Sequence, residues 1–471
     1  MWPSRSLRDR RAPALAVVLA VLAVVVAGGT GAAIAQDGNG NETSPVGVQP
    51  QAADDLPLPE RVVLPGVQTH GSATVAPEAG AALDRGSARI EASYRQHLLE
   101  ERVARAPDDE ARRAILNRTA LAIASDAEQL QANERTARRA YRDGALSDRG
   151  LLRELSSIDA RGRGLAALAD SIEPIPQGQG LADEVGATDA IAELRGVRGA
   201  ITASQGPIRA DVGAALTGAD EPGRFYLTST VEGTVLVTID AGSYHREAHR
   251  SDLLSIGGDP GIGLSEAFRI VEEELYPVYS SHYGFSRVRE EVTGRYYLGD
   301  GQGDLTYEHG VLRTYVDAVS RNAFWEYQRL DLDDDLPLGA PITNESAVPV
   351  GGGVDENASA EDDAVPTATN TSTNGTDTEA TTASATQSGN LTLSVRPTYA
   401  TGPASVTVTA DGLPARNATI AVDGEPVGRT DGTGQVWVVL PGGDPVVSAT
   451  GDDLRATVTV NWGQRAWEDA G

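Results

Sequence analysis

No cysteine occurs among the 471 residues, which excludes disulfides, thiolate nucleophiles and cysteine-ligated metals. Lysine is missing as well: all 39 basic residues are arginine, against 67 acidic ones. That removes the lysine of a phosphate-binding loop, Schiff-base chemistry and the serine–lysine dyad. Methionine occurs once and phenylalanine four times. After the N-terminal segment, no apolar run approaches the roughly 20 residues that a membrane helix needs. No basic stripe interrupts a formal net charge of −28, so nucleic acid is excluded as a partner.

What is present begins with an export signal. Arg5, Arg8, Arg10 and Arg11 precede an apolar run over 12–27 broken only by Pro13, and Ala33-Ile34-Ala35 supplies a small-residue cleavage motif. The run is also long enough to span a bilayer uncut, so residues 1–35 are a signal peptide or a signal anchor. Arg10-Arg11 leaves the twin-arginine route open beside the general one. Abundant carboxylates with arginine as the sole cation suit a protein kept soluble at very high ionic strength, where self-repulsion is screened. In this the composition resembles that of haloarchaeal exported proteins. The resemblance implies an extracellular or cell-surface location, with membrane contact only through the N-terminal segment if it stays uncut.

Eight Asn-x-Ser/Thr sequons are candidate glycosylation sites, at Asn41, Asn117, Asn344, Asn357, Asn370, Asn374, Asn390 and Asn417. Five fall in or beside residues 341–389, a stretch dominated by Thr, Ser, Ala, Gly, Asp and Glu. Such a segment buries too little apolar surface to offset its ordering entropy. It is expected to be a disordered, glycosylated stalk that separates two folded parts. A glycosylating enzyme reaches these sequons only if the chain crosses a membrane.

The expected fold class is multidomain α+β. Residues 36–80 read as a flexible leader, with Arg61-Val62-Val63-Leu64 able to pair as a short strand. Residues 81–173 carry helical periodicity and predict an antiparallel three-helix bundle. Its first stripe is Leu83, Ile90, Tyr94 and Leu98. The second is Leu116, Ala120, Ile123, Ala127, Leu130, Ala137 and Tyr141, interrupted only by Glu134. The third runs from Leu151 through Leu155, Ile158, Leu165 and Leu168 to Ile172. A linker follows, then an αβ domain over 183–335, with helices near 188–203 and from Ser265, and strands around 225–239, 288–297, 311–316 and 323–329. Asp240-Ala241-Gly242-Ser243 and Asp317-Ala318-Val319-Ser320 each sit between strands, which suggests an internal duplication. The helix-then-strands pattern of 264–329 resembles the PepSY fold of secreted proteins and peptidase propeptides.

Residues 390–462 alternate over short segments about ten residues apart, punctuated by Asp423-Gly424 and Asp431-Gly432, and predict a β-sandwich. The run from Ala418-Thr419-Ile420 to Gly432-Thr433-Gly434 resembles fibronectin type III-like or carboxypeptidase-regulatory-like modules. That resemblance implies a binding or spacing role. As a whole the chain resembles uncharacterised haloarchaeal exported proteins that end in a fibronectin type III-like domain.

Candidate chemistry is sparse. His245-Arg246-Glu247-Ala248-His249 offers two imidazoles on one face, but its glutamate is misplaced for a metalloprotease motif. His245 and His249 are therefore minor metal candidates. The acidic runs 300–304 and 331–335 lack the spacing of a calcium loop. Gly257-Gly258-Asp259 would repel phosphate, and Glu272, Glu273 and Glu274 point around a helix rather than converging. The expectation is a non-enzymatic surface protein with no cofactor, bound to an unidentified protein or cell-envelope partner. Alternatives are a regulator or inhibitor of an exported peptidase, implied by the PepSY resemblance, and a metal-dependent hydrolase.

Overall fold

A computed structural model describes residues 62–173, 180–254, 310–317, 319–332, 390–398, 402–451 and 454–460, with short pieces at 269–270, 288–292, 295–298, 305–307, 336, 338, 341–344 and 348–349. The chain divides into a unit over 1–48, outside these residues, and a unit over 49–471 that holds everything below. The export signal, Asn41, Asn357, Asn370 and Asn374 lie outside the described residues. So do the helix expected from Ser265, the glutamates at 272–274 and the loops at 257–263, 300–304 and 333–335.

Three long helices come first: α1 (Ala79–Ala104), α2 (Asp109–Arg142) and α3 (Asp148–Ile172). The Asp108 carboxylate accepts from the Ala111 N–H and the Ser147 hydroxyl from the Gly150 N–H, so both later helices start on side-chain caps. The stripes expected on α2 and α3 are buried throughout. The stripe expected on α1 is not. Leu83, Ile90 and Tyr94 are 73%, 72% and 64% exposed, and α1 meets the core through Ala81, Leu99 and Val103. Small residues win this choice: a Cβ added at Gly164 of α3 would sit 2.8 Å from the Ala92 Cβ, so the two backbones approach more closely than large side chains allow. Short helices α4 (Leu181–Val185), α5 (Thr188–Ala203) and α6 (Pro207–Thr217) follow, the last with proline preset in its first turn.

Strands β1 (Thr69–Val75), β2 (Gly223–Ser229), β3 (Gly233–Asp240), β4 (Ser243–Arg250), β5 (Val288–Val292), β6 (Arg295–Leu298), β7 (Leu305–Tyr307), β8 (Gly310–Asp317) and β9 (Asn322–Asp331) form one antiparallel sheet. Its order is β1-β2-β3-β4-β9-β8-β6-β5, with β7 also on β8. The Asp-Ala-x-Ser motifs both make hairpin turns. One is a two-residue turn with Ala241 and Gly242 at φ 47° and 78°; the other is wider, with the Asp317 carboxylate accepting from the Ser320 N–H. The β2-β3-β4 meander and the β9-β8-β6-β5 half of the sheet meet antiparallel at β4 and β9.

Two expectations about organisation are corrected here. The leader contributes β1 to the sheet edge, and of the expected strand the described residues Val62-Val63-Leu64 are not in one; the Val62 and Val63 carbonyls instead accept from the Arg246 and Arg250 guanidiniums. The helices and sheet are also not separate domains, because one continuous core runs from Leu116 and Leu151 to Phe225, Leu236 and Trp325. Helices cover one face of the sheet. The other carries Tyr226, Thr228, Val235, Val237 and Arg246.

The C-terminal sandwich is built from β10 (Ile342–Asn344), β11 (Val348–Pro349), β12 (Leu391–Pro397), β13 (Pro403–Ala410), β14 (Leu413–Pro414), β15 (Thr419–Val422), β16 (Glu425–Arg429), β17 (Gln435–Val439), β18 (Val446–Gly451) and β19 (Leu454–Thr459). One sheet orders β10-β12-β13-β14 with β17 also on β13; the other orders β11-β19-β18-β15-β16. Val406, Val408, Ile420, Val447 and Ala449 fill the space between. Because β10 pairs with β12 and β11 with β19, the sandwich begins at Ile342. The Thr-rich segment thus leaves and re-enters the same sandwich. It is an insertion within that domain, not a stalk between two domains.

Candidate functional site

The helix-facing side of the sheet carries a sealed ionic cluster. Glu134, the one break in the α2 stripe, is its hub. Both Glu134 carboxylate oxygens accept from the Arg209 guanidinium at 3.1 Å, and Oε1 also takes Arg138 at 3.2 Å and His249 Nδ1 at 3.1 Å. Arg209 Nε lies 3.0 Å from the Glu247 carboxylate, whose other oxygen accepts from the Ile208 N–H at the start of α6. Glu134, Arg209 and Glu247 are each at most 3% exposed. Two arginines face two glutamates, so the charges balance when both carboxylates are ionised and His249 is neutral.

The shifts in acidity follow from these contacts. Burial alone would raise the Glu134 pKa, but Arg209, His249 and Arg138 outweigh it and hold the group well below the usual carboxylate range. Burial lowers His249 against the pull of Glu134, and raises Glu247 to about 7 against the pull of Arg209. Beside the cluster, Asp159 accepts from the Gly206 N–H and from Arg163. The cluster therefore clamps α2, α3 and α6 onto β4.

The sequence pair His245 and His249 is not brought to one point. Both lie on β4, and four strand residues separate them by about 13 Å. His249 is committed to Glu134, while His245 Nδ1 lies 2.9 Å from the Tyr327 hydroxyl. Among the described residues no group of three or more metal-type ligands converges.

The open feature lies on the opposite face. The sandwich seats on the sheet through Arg224, which reaches Glu425 at 2.8 Å, the Pro426 carbonyl, and Ser72 Oγ, while stacking over the Tyr226 ring. Pro426 lies on β16, an edge strand of the sandwich, so Arg224 ties that edge to the sheet. Between the two parts remains a cleft of about 330 Å³. Leu64, Tyr226 and Val237 line one wall, Val427 and Leu440 the other, and His70 sits at its side bonded to Thr228 Oγ1. Burial lowers the His70 pKa. An apolar cleft with a few oriented polar groups is the usual form of a binding site.

Sequence reasoning missed Arg209 and Arg224 as structural centres. Glu134 was visible as a charged residue in an apolar stripe, and Glu247 as the residue between two histidines.

Three family models match this chain. Residues 11–221 match the domain of unknown function DUF7096, and residues 225–335 the family of unknown function DUF7094. Residues 381–449 match an archaeal fibronectin-III type-like domain. The first two meet just before the body of β2, inside a region that shares one core. No curated protein and no solved structure matches the chain. The chain is a modular α+β protein with a C-terminal fibronectin type III-like region, as its sequence resemblance implied, and the αβ region matches DUF7094 with nothing to support PepSY. Among the described residues no helix is long and apolar enough to cross a membrane.

Proposed function

We propose that this chain is a non-enzymatic, exported protein of a halophile surface that uses the sheet–sandwich cleft to bind an apolar segment of a protein or cell-envelope partner. The observation that carries this reading is the cleft itself: Leu64, Val235, Val237, Val427 and Leu440 supply aliphatic wall, and both of its arginines are already engaged, Arg224 with Glu425 and the Pro426 carbonyl and Arg246 with Glu326 and the Val62 carbonyl. An anionic ligand would have to break those pairings, whereas an apolar one would not. The clustered titratable groups on the other face bond one another and are sealed from solvent, which supports a holding role for them rather than catalysis. Export is supported by the N-terminal signal, the sequons, the acidic composition and the fibronectin-III type-like match.

The test is capture from native high-salt medium with the full-length protein and with Val237→Trp, which fills the cleft. A species retained by the parent and lost from the variant supports the reading. Equal retention by both, or by neither, overturns it.

A further inference from the structure

The sandwich has two unlike ends. Strand register defines one end by the starts of β12 and β15, where Leu391 faces Ala410 and Thr419 faces both Arg429 and Thr450. The opposite end holds the β15–β16 turn at Asp423 and the end of β17 at Val439, and this is the end that borders the cleft.

The described sequons of the sandwich all fall at the first end. Asn390 immediately precedes β12, and its carbonyl accepts from the Asp411 N–H at 2.9 Å. Asn417 lies just before β15 in the left-handed region, at φ 58°. Asn344 ends β10 opposite Leu393. Both flanks of the insertion join here too, since Pro349 faces Leu454 and the chain returns at Asn390. Asn390 and Asn417 are exposed. Asn117 is different: it lies within α2, is half-buried, and its Oδ1 is sealed from solvent.

We infer that, among the sequons in the described residues, N-glycosylation falls on the end of the sandwich remote from the cleft, at Asn390 and Asn417, and passes over Asn117. The inference rests on the export reading, because the donor is a lipid-phosphate-linked glycan handled beyond the membrane. In the transfer, the asparagine Nδ2 attacks the glycan anomeric carbon; the new C–N bond forms as the bond from that carbon to the phosphate oxygen breaks. The amide loses one proton to a base, and the lipid phosphate departs with the bonding pair. A glycan on Asn390 or Asn417 extends into solvent without touching a buried group. On Asn117 it would have to turn a half-buried amide, whose Oδ1 is sealed from solvent, out of the packing around α2. The modified end then carries the sugars at Asn390 and Asn417 beside both flanks of the insertion, away from the cleft.

The test uses full-length protein recovered from the medium of a glycosylating halophilic host, mapped by glycopeptide mass spectrometry. The variants are Asn390→Gln, Asn417→Gln and Asn117→Gln. Each of the first two should lose one glycan mass from the intact protein, and the third none. Secreted protein that is bare at Asn390 and Asn417 overturns the inference and leaves export standing. A glycan on Asn117 overturns it equally. A chain found only inside cells overturns the export reading and this inference with it.

Discussion

Substituting Glu134 by glutamine keeps the side-chain volume and removes one charge from the sealed cluster. Arg138 and Arg209 would then face Glu247 alone, leaving a net positive charge among groups that are almost wholly buried. Removing one partner of a buried ion pair costs about 3–5 kcal/mol, because the remaining charge loses its compensation without regaining water. With a urea dependence of about 3 kcal/mol per molar for a body of this size, the unfolding midpoint should fall by roughly 1–2 M. Tryptophan fluorescence reads this well: the Trp325 indole donates to the Gln205 carbonyl beside the cluster, whereas Trp437 lies on β17 of the sandwich. The Trp325 transition should move. Adding Arg209→Gln to Glu134→Gln should cost less than the two separate losses combined, since the two charges leave together. A midpoint loss equivalent to less than about 1 kcal/mol for Glu134→Gln would mean that water enters the cluster, and the hub assignment would fail.

Other perturbations test neighbouring contacts. Gly206→Ala should destabilise the αβ body by about 1–3 kcal/mol in the same urea assay, because the added Cβ would lie 2.0 Å from the Glu247 carboxyl carbon. Arg224→Ala should leave global stability within about 1 kcal/mol, since Glu425 is largely exposed, yet free the sandwich from the sheet; small-angle scattering should show a larger radius of gyration, and an unchanged one refutes the latch. Asp211 is exposed on α6, yet partial desolvation by its surroundings, with Asp220 and Asp240 nearby, raises it to about 6. A carboxyl raised on folding favours the native state below its unfolded pKa of about 3.9 and loses that advantage as pH rises through its native value. Asp211→Asn should therefore be neutral near pH 4 and stabilising above pH 6, by about 1 kcal/mol once solvent screening is allowed for. A melting temperature difference that does not change with pH would refute it.

The contrast between legible and illegible elements has physical causes. The stripes on α2 and α3 were readable because apolar side chains recur on one face and the caps Asp108 and Ser147 mark the starts. The α1 stripe misled for the same reason: pattern finds large side chains, but closeness to α3 selected the small ones. Strands β10 and β11 have three and two residues, too few for any alternation, so the insertion passed for a stalk. The β1 sequence Thr69-His70-Gly71-Ser72 lacks bulky apolar residues, and it pairs because the β2 edge needs a partner. His245 and His249 share a face on β4, but spacing along a strand is twice that along a helix.

The absence of lysine and the interior of the molecule explain each other. Arg209 serves both oxygens of Glu134, the Ser204 carbonyl, Thr234 and the start of the Glu247 contact from one planar fork. Arg246 spans Glu326 and the Val62 carbonyl, and Arg224 spans Glu425, Ser72 and a strand edge. A lysine ammonium presents its donors at a single point and could satisfy only part of each set. At high ionic strength the screening length falls to about 3 Å, so ion pairs on the surface contribute little, while pairs sealed from solvent keep their strength. The cations that matter are thus those buried between helices and sheet or wedged between sheet and sandwich. By fixing β4 from the helix side, the Glu134 cluster also fixes the opposite face of that strand, where Arg246 and its neighbours form the cleft wall. Stability on one face and a defined binding surface on the other come from the same strand.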